Sequence, residues 1–111
     1  MMLKSLGKLW RRLRRRRAFK RVVFVESMTS LPERLTSDIY IVRRAGFDRR
    51  AAFECPCTCG RRIDLNLVRS REPFSSITVR DGKVSIHPSV WLATSPCGSH
   101  FFVRDSKVTW V

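Results

Sequence analysis

Three of the four cysteines stand at alternate positions, Cys55, Cys57 and Cys59, and this spacing restricts the fold more than any other feature. In an extended segment, residues i, i+2 and i+4 point to the same side, so the three thiols can converge on one point. A disulfide between residues two apart is badly strained. A Cys-x-x-Cys redox pair is excluded because Thr58 stands three residues after Cys55. The pattern therefore favours a metal site.

The remaining ligands for such a site come from "SPCGSHF", which supplies Cys97 and His100 in Cys-x2-His spacing. Zn²⁺ takes four nitrogen or sulfur ligands in a tetrahedron. We predict a structural zinc site held by Cys55, Cys57, Cys59 and Cys97, with His100 as the replacement for one thiol and His87 as a sixth candidate. The histidine favours zinc over an iron–sulfur cluster. The alternative is that the cysteines are small buried hydrophobic residues.

Charge divides the chain into two parts. The net charge is +14, and the first 21 residues hold ten basic residues and no acid. Leu3, Leu6, Trp10 and Leu13 recur every three or four residues, which gives an apolar stripe if the segment is helical. We predict a basic amphipathic arm over residues 1–19, helical when an anionic partner offsets its arginine repulsion. Residues 20–111 form the predicted zinc-binding β domain.

The arm has three interpretations. It could lie on anionic lipid, bind nucleic acid by counterion release, or remain a solvated extension. The apolar run at residues 22–25 is too short for an export signal, and no stretch approaches the roughly 18 apolar residues of a membrane span. We therefore expect a cytoplasmic protein, in which thiols stay reduced.

Short strands separated by turns predict a mainly β, antiparallel fold. "RVVFVES", "DIYIVRR" and "RIDLNLV" read as strands, and "LPERL" as a turn. In "SITVRDGKVSIH", Asp81-Gly82 lies between two alternating runs, which is a strong hairpin signal. "HFFVRDSKVTWV" repeats the pattern with Asp105-Ser106 as a weaker turn. We expect about seven strands.

Two histidines and two serines are the catalytic candidates if all four cysteines bind zinc. Either His87 or His100 could then activate Ser89 or Ser99 as a nucleophile. Asp81 or Asp105 could orient the histidine. The non-catalytic alternative is that "HPSVW" is a turn and that Ser99 only caps the cysteine loop.

A second enzyme hypothesis makes the zinc catalytic. It would need only three protein ligands, a bound water and a nearby carboxylate base. Glu54 is the carboxylate nearest to the cysteines in the sequence.

Four separated motifs, "RVVFVES", "CPCTCG", "VSIHPSVW" and "CGSHFFVRDSKVTWV", together resemble a small bacterial family of domains of unknown function. Members of that family are often encoded beside ubiquitin-like conjugation genes, the Bub pathways implicated in defence against phage. The resemblance covers residues 20–111 and leaves out the arm. It implies a zinc-containing β domain that acts on or binds a ubiquitin-like protein or its activating or conjugating enzymes.

Three functions remain open. The first is a zinc-stabilised accessory protein that binds partners in a ubiquitin-like pathway. The second is a small deconjugating hydrolase, an isopeptidase or esterase, of the same pathway. The third is a nucleic-acid-binding protein in which Trp10, Trp91 and Trp110 stack on bases, although aromatic residues in β domains more often belong to the core.

Overall fold

A computed structural model describes residues 13–111, so most of the predicted arm lies outside the described residues. Within them the regular secondary structure is almost entirely β, as predicted. The strands are β1 (Arg21–Val25), β2 (Asp38–Arg44), β3 (Phe47–Glu54), β4 (Arg62–Asn66), β5 (Ser76–Arg80), β6 (Lys83–Trp91), β7 (His100–Arg104) and β8 (Lys107–Trp110), with a 3-10 turn at Met28–Ser30. Of the helical segments among the described residues, none is long and apolar enough to cross a membrane.

The eight strands form two four-stranded sheets, in the orders β1-β2-β3-β4 and β5-β6-β7-β8. Every pair is antiparallel except β1–β2, which is parallel with Arg21 opposite Asp38. The prediction of an antiparallel domain is therefore wrong for this one pair. Residues 26–37 connect the two strands, and a connection of about a dozen residues is long enough to return the chain to the starting end of the sheet.

Both predicted hairpins are present. Asp81 and Gly82 join β5 to β6 with φ values of 53° and 73°, as a type I′ turn requires. Asp105 and Ser106 join β7 to β8 with φ values of 49° and 63°. Glycine takes this left-handed conformation without steric cost, which explains why Asp-Gly was the stronger signal.

The two sheets share one core, built from alternate residues of their strands. Phe53 of β3 lies at its centre, edge-on to Phe19 at 5.3 Å and to Phe101 of β7 at 6.5 Å between ring centroids. All three rings are buried. Such aromatic pairs add to the free energy gained by burial, so Phe19 stabilises the union of the two sheets.

The chain preceding β1 is held against the domain by backbone hydrogen bonds. Arg16 N–H donates to Pro56 O at 2.7 Å, Val108 N–H donates to Arg17 O at 2.8 Å, and Phe19 N–H donates to Ser106 O at 2.8 Å. Residues 16–19 therefore pack on the β domain. A separate arm stays a prediction for the part of the chain outside the described residues.

Candidate metal centre and serine–histidine pair

The four cysteines come together in one group. Their Sγ atoms all lie within 4.8 Å of one another, and all four are free thiols. A tetrahedral zinc with Zn–S distances of about 2.3 Å would set its sulfurs about 3.8 Å apart. The donor set and its spacing therefore fit a four-thiolate metal site.

The first three thiols are placed by a tight turn that follows β3. Cys55 N–H donates to Arg61 O at 2.8 Å, and Thr58 N–H donates to Cys55 O at 3.0 Å. Thr58 and Gly60 have φ values of 68° and 86°. A left-handed conformation is a genuine outlier for a β-branched residue such as threonine, so the turn holds the thiols at a local cost in backbone energy.

Ser99 belongs to this thiol group. It is buried, its hydroxyl donates to Cys97 Sγ at 3.3 Å, and Cys55 Sγ donates to its oxygen at 3.5 Å. Burial raises the pKa of Cys55. Burial also opposes ionisation of Cys97, but hydrogen bonds from the Ser99 hydroxyl and backbone outweigh it and lower the Cys97 pKa to about 6. Ser99 thus favours the thiolate form that binds a metal.

His100 lies outside the thiol group, although it was the predicted replacement ligand. The side chains that could hold a metal among residues 13–111 are the four cysteines. The Nε2 atom of His100 instead lies 2.9 Å from Ser89 Oγ. Of the serine–histidine combinations open to the sequence, the structure brings together Ser89 of β6 and His100 of β7.

A bulge in β6 presents Ser89 to this histidine. The regular pairs on either side are Ile86 with Val103 and Val90 with Phe101. Residues 87–89 therefore face the single residue Phe102 on β7. Bulges bend a strand and redirect side chains, and they are frequent beside active sites. The segment "HPSVW" is thus part of a strand, and the alternative interpretation of it as a non-catalytic turn is wrong.

The ring of His100 stacks with two aromatic rings. Trp91, its direct partner across β6–β7, lies with its centroid 5.3 Å away and its plane at 20°. Phe102, two residues along β7, lies at 6.4 Å and 29°. The backbone of His100 is fixed as well, since Val111 N–H donates to His100 O at 3.0 Å. These contacts orient the imidazole towards Ser89.

The sequence interpretation missed these two aromatic neighbours. Phe101 and Val103 are buried, so the alternate residues His100 and Phe102 share the outer face of β7. The alternation in "HFFVR" could have predicted that His100 and Phe102 lie on the same face of the strand. Trp91 could not be assigned to the same place, because its position opposite His100 depends on the bulge.

The other predicted catalytic groups lie elsewhere. His87 is exposed and pairs with Ser76 of β5. Asp105 follows the far end of β7, about 16 Å from His100 at roughly 3.3 Å per residue. Asp81 lies in the hairpin turn at the same far end, before Lys83. Neither aspartate can orient His100, so that expectation is wrong.

Glu54 is also unsuited to the role of a catalytic base. Its carboxylate accepts hydrogen bonds from the Arg34 side chain at 3.0 Å and from the N–H groups of Leu35 at 2.7 Å and Thr36 at 2.9 Å. The Arg34 hydrogen bond outweighs burial and, with the two N–H donors, lowers the Glu54 pKa to about 2. This carboxylate anchors the β1–β2 connection, which removes the base expected for a catalytic zinc.

Ser89 and His100 thus form a hydrogen-bonded pair on neighbouring strands, and in enzymes such a pair can activate a hydroxyl nucleophile. The fold places that pair on a small two-sheet β domain whose loops gather four thiols. A family model described as bacterial ubiquitination-like system serine protease (BubE) matches residues 24–111, and the chain belongs to this family. No curated protein and no solved structure matches the chain.

The family match confirms the expected connection with a bacterial ubiquitin-like system. The match begins at Phe24, so the basic arm lies outside it, as the resemblance indicated. The family's description mentions no metal, so a metal here depends on the cysteine geometry alone.

Proposed function

We propose that the chain is a serine hydrolase of a bacterial ubiquitination-like pathway, with Ser89 as nucleophile and His100 as general base. The observation that carries the proposal is the 2.9 Å contact between Ser89 Oγ and His100 Nε2. Nucleophile and base must lie within hydrogen-bond reach, and this distance is within that range. The description of the family as a serine protease supports the same chemistry.

The reaction would proceed through an acyl-enzyme. His100 Nε2 accepts the hydroxyl proton as Ser89 Oγ attacks the carbonyl carbon at the C terminus of a ubiquitin-like protein. The bond to the leaving amine or alcohol breaks, and the leaving group takes the proton from His100. Water then attacks the Ser89 ester while His100 Nε2 accepts its proton, and this proton returns to Ser89 as the ester breaks.

His100 works without the third residue that the sequence suggested. In a triad a carboxylate fixes the imidazole by a hydrogen bond. Here the stacked rings of Trp91 and Phe102 and the backbone contact from Val111 restrict the imidazole instead. The active group is therefore a serine–histidine dyad.

The four thiols would hold a structural Zn²⁺. Four sulfur ligands complete a tetrahedron and leave no open position for a water nucleophile. Bound zinc contributes folding free energy. Cys97 lies three residues before His100, and Ser99 contacts two of the thiols, so the site fixes the start of β7.

The dyad favours this hydrolase over a non-catalytic accessory protein that only binds a ubiquitin-like protein or its activating or conjugating enzymes. Binding alone would not require a serine aligned with a histidine on a bulge. Nucleic-acid binding is less favoured. Trp110 packs on Phe101 at 5.3 Å and lies under Arg15 at 4.2 Å. These contacts leave its ring less available to stack on a base.

A direct test uses the ubiquitin-like protein of the same pathway, either extended at its C terminus or conjugated to a target. Wild type and His87→Ala should release the mature protein, whereas Ser89→Ala and His100→Ala should not. His87→Ala is the matched control, because it removes the other histidine of the described domain. Release by Ser89→Ala at the wild-type rate would refute the assignment.

A further inference from the structure

The dyad lies at one end of a continuous row of side chains on the outer face of the β5–β8 sheet. Trp91, His100, Phe102 and Arg104 form this aromatic row. The rings of Trp91 and His100 are 5.3 Å apart, and those of His100 and Phe102 are 6.4 Å apart. The Arg104 guanidinium lies 4.9 Å from the centre of the Phe102 ring.

The row is open to solvent at both ends. Trp91 is 65% exposed, and Arg104 is exposed. An indole that remains this exposed beside a nucleophile gains free energy when a ligand covers it. The row thus offers an apolar contact next to Ser89 and a cation farther along the strand.

The end of the sheet remote from Ser89 is rich in cations. Arg80 pairs with Lys83 across β5–β6, and Arg104 pairs with Lys107 across β7–β8. The ion pairs found among residues 13–111 use other arginines, namely Arg21, Arg34, Arg43 and Arg62. Asp81 and Asp105 in the two turns offset part of this charge. A positive surface therefore remains available for an acidic ligand.

We propose that the aromatic row binds an extended segment of the substrate on the acyl side of the bond that Ser89 attacks. An apolar side chain near that bond covers Trp91 and Phe102, and an acidic side chain pairs with Arg104. Arg104 lies four residues beyond His100, or about 13 Å at roughly 3.3 Å per residue. The acidic residue therefore lies about four residues before the scissile bond.

This proposal rests on the proposed hydrolase function, and it adds a substrate class to it. In a ubiquitin-like system the acyl group is the C-terminal segment of the modifier. The row selects modifiers whose terminal segment is extended, apolar near its end and acidic about four residues earlier. Arginine suits this role because its guanidinium binds carboxylates in a fixed geometry.

The experiment uses a library of peptidyl aminomethylcoumarins that vary at the five positions on the acyl side. Wild type should prefer Asp or Glu at the fourth or fifth position by about tenfold in kcat/KM, the factor that one charge-assisted hydrogen bond supplies. Arg104→Gln should lose this preference. Arg50→Gln, which removes an exposed arginine from β3 of the other sheet, should keep it. Trp91→Ala should weaken the apolar preference nearest the bond.

Labelling of Ser89 by a fluorophosphonate, which needs no peptide contact, separates the two proposals. Normal labelling of Arg104→Gln with loss of the acidic preference supports the surface. If wild type is labelled at Ser89 but cleaves no peptide, or cleaves peptides without preferring an acidic residue, the proposed substrate-binding role of the aromatic row is wrong and the hydrolase proposal stands. The same conclusion follows if Arg50→Gln loses the acidic preference as much as Arg104→Gln does. Absence of labelling at Ser89 in wild type overturns the hydrolase function and the surface together.

Discussion

Ser89 Oγ and His100 Nε2 are 2.9 Å apart, although the two residues are separated by the end of β6 and the whole Cys97 loop. The contact joins two neighbouring strands whose backbones are fixed by the sheet. The bulge at residues 87–89 shifts the register of β6 so that the Ser89 hydroxyl lies within hydrogen-bond distance of the His100 imidazole. The same loop carries a thiol of the candidate metal site, so the two sites share a short piece of chain while remaining chemically separate.

That separation predicts different metal contents for two variants. His100→Gln should retain about one zinc per chain by elemental analysis, because its ring lies outside the thiol group. Cys97→Ser should lose the metal, because it removes one of four ligands. The variants alter residues three positions apart, so they are matched in location. Loss of zinc from His100→Gln with retention in Cys97→Ser would show that the imidazole is the ligand.

Metal removal should unfold the domain. Structural zinc contributes apparent binding free energies on the order of 10 kcal/mol or more in small domains, whereas a domain of this size is stable by about 5–15 kcal/mol. A strong chelator should therefore abolish the cooperative thermal transition measured by circular dichroism, and added zinc should restore it. An unchanged transition in a preparation shown to be metal-free would contradict the site.

Glu54 should make stability depend on pH in acid solution. Its folded-state pKa of about 2 lies below its ordinary value of 4.5, so its contribution is complete above about pH 4.5 and is lost as the pH falls towards 2. Glu54→Gln should lower the free energy of unfolding by about 1–3 kcal/mol at pH 7. Urea titrations should show this difference from wild type shrinking between pH 4.5 and 2.

Asp64→Asn is the control for that experiment. Asp64 pairs with Arg62 at 3.2 Å, but its side chain is about one-third exposed. A surface pair of this kind contributes about 0–1 kcal/mol, so this variant should be nearly as stable as wild type. An equal loss in both variants would show that general charge, and not the Glu54 hydrogen bonds, sets the stability.

Phe19 should prove essential to the fold even though it precedes β1. Its ring is buried against Phe53, so Phe19→Ala should cost about 3–5 kcal/mol in the free energy of unfolding. Phe47→Ala removes a ring that is 67% exposed and should cost far less. Denaturant melts of the two variants would test this, and equal stabilities would place the domain boundary after Phe19.

Local patterns were sufficient to predict much of this fold. Asp81-Gly82 indicated the β5–β6 hairpin because its turn type requires left-handed residues. The alternating cysteines indicated that their thiols converge, which the structure shows, but the convergence arises in a turn with left-handed Thr58 and Gly60 and not in an extended segment. The hairpin and this turn depend on neighbours in the sequence, whereas Cys97 reaches the thiol group through the fold.

Features that depend on distant pairing could not be predicted in this way. "FDRRAAFE" does not alternate, because β3 is central in its sheet and its second half is buried on both faces. The parallel β1–β2 pair follows from the course of residues 26–37. The choice of Ser89 for His100 depends on the β6–β7 register and its bulge, which no local pattern encodes.

In the proposed mechanism His100 activates Ser89, so the rate of fluorophosphonate labelling at Ser89 should depend on His100. Mass spectrometry of the intact chain and of its peptides locates and counts the adduct. We expect one adduct at Ser89 in wild type and in His87→Gln, and a rate reduced by about 100-fold or more in His100→Gln, since general-base catalysis contributes roughly that factor. Equal labelling rates in His87→Gln and His100→Gln, or an adduct on another serine, would contradict this mechanism.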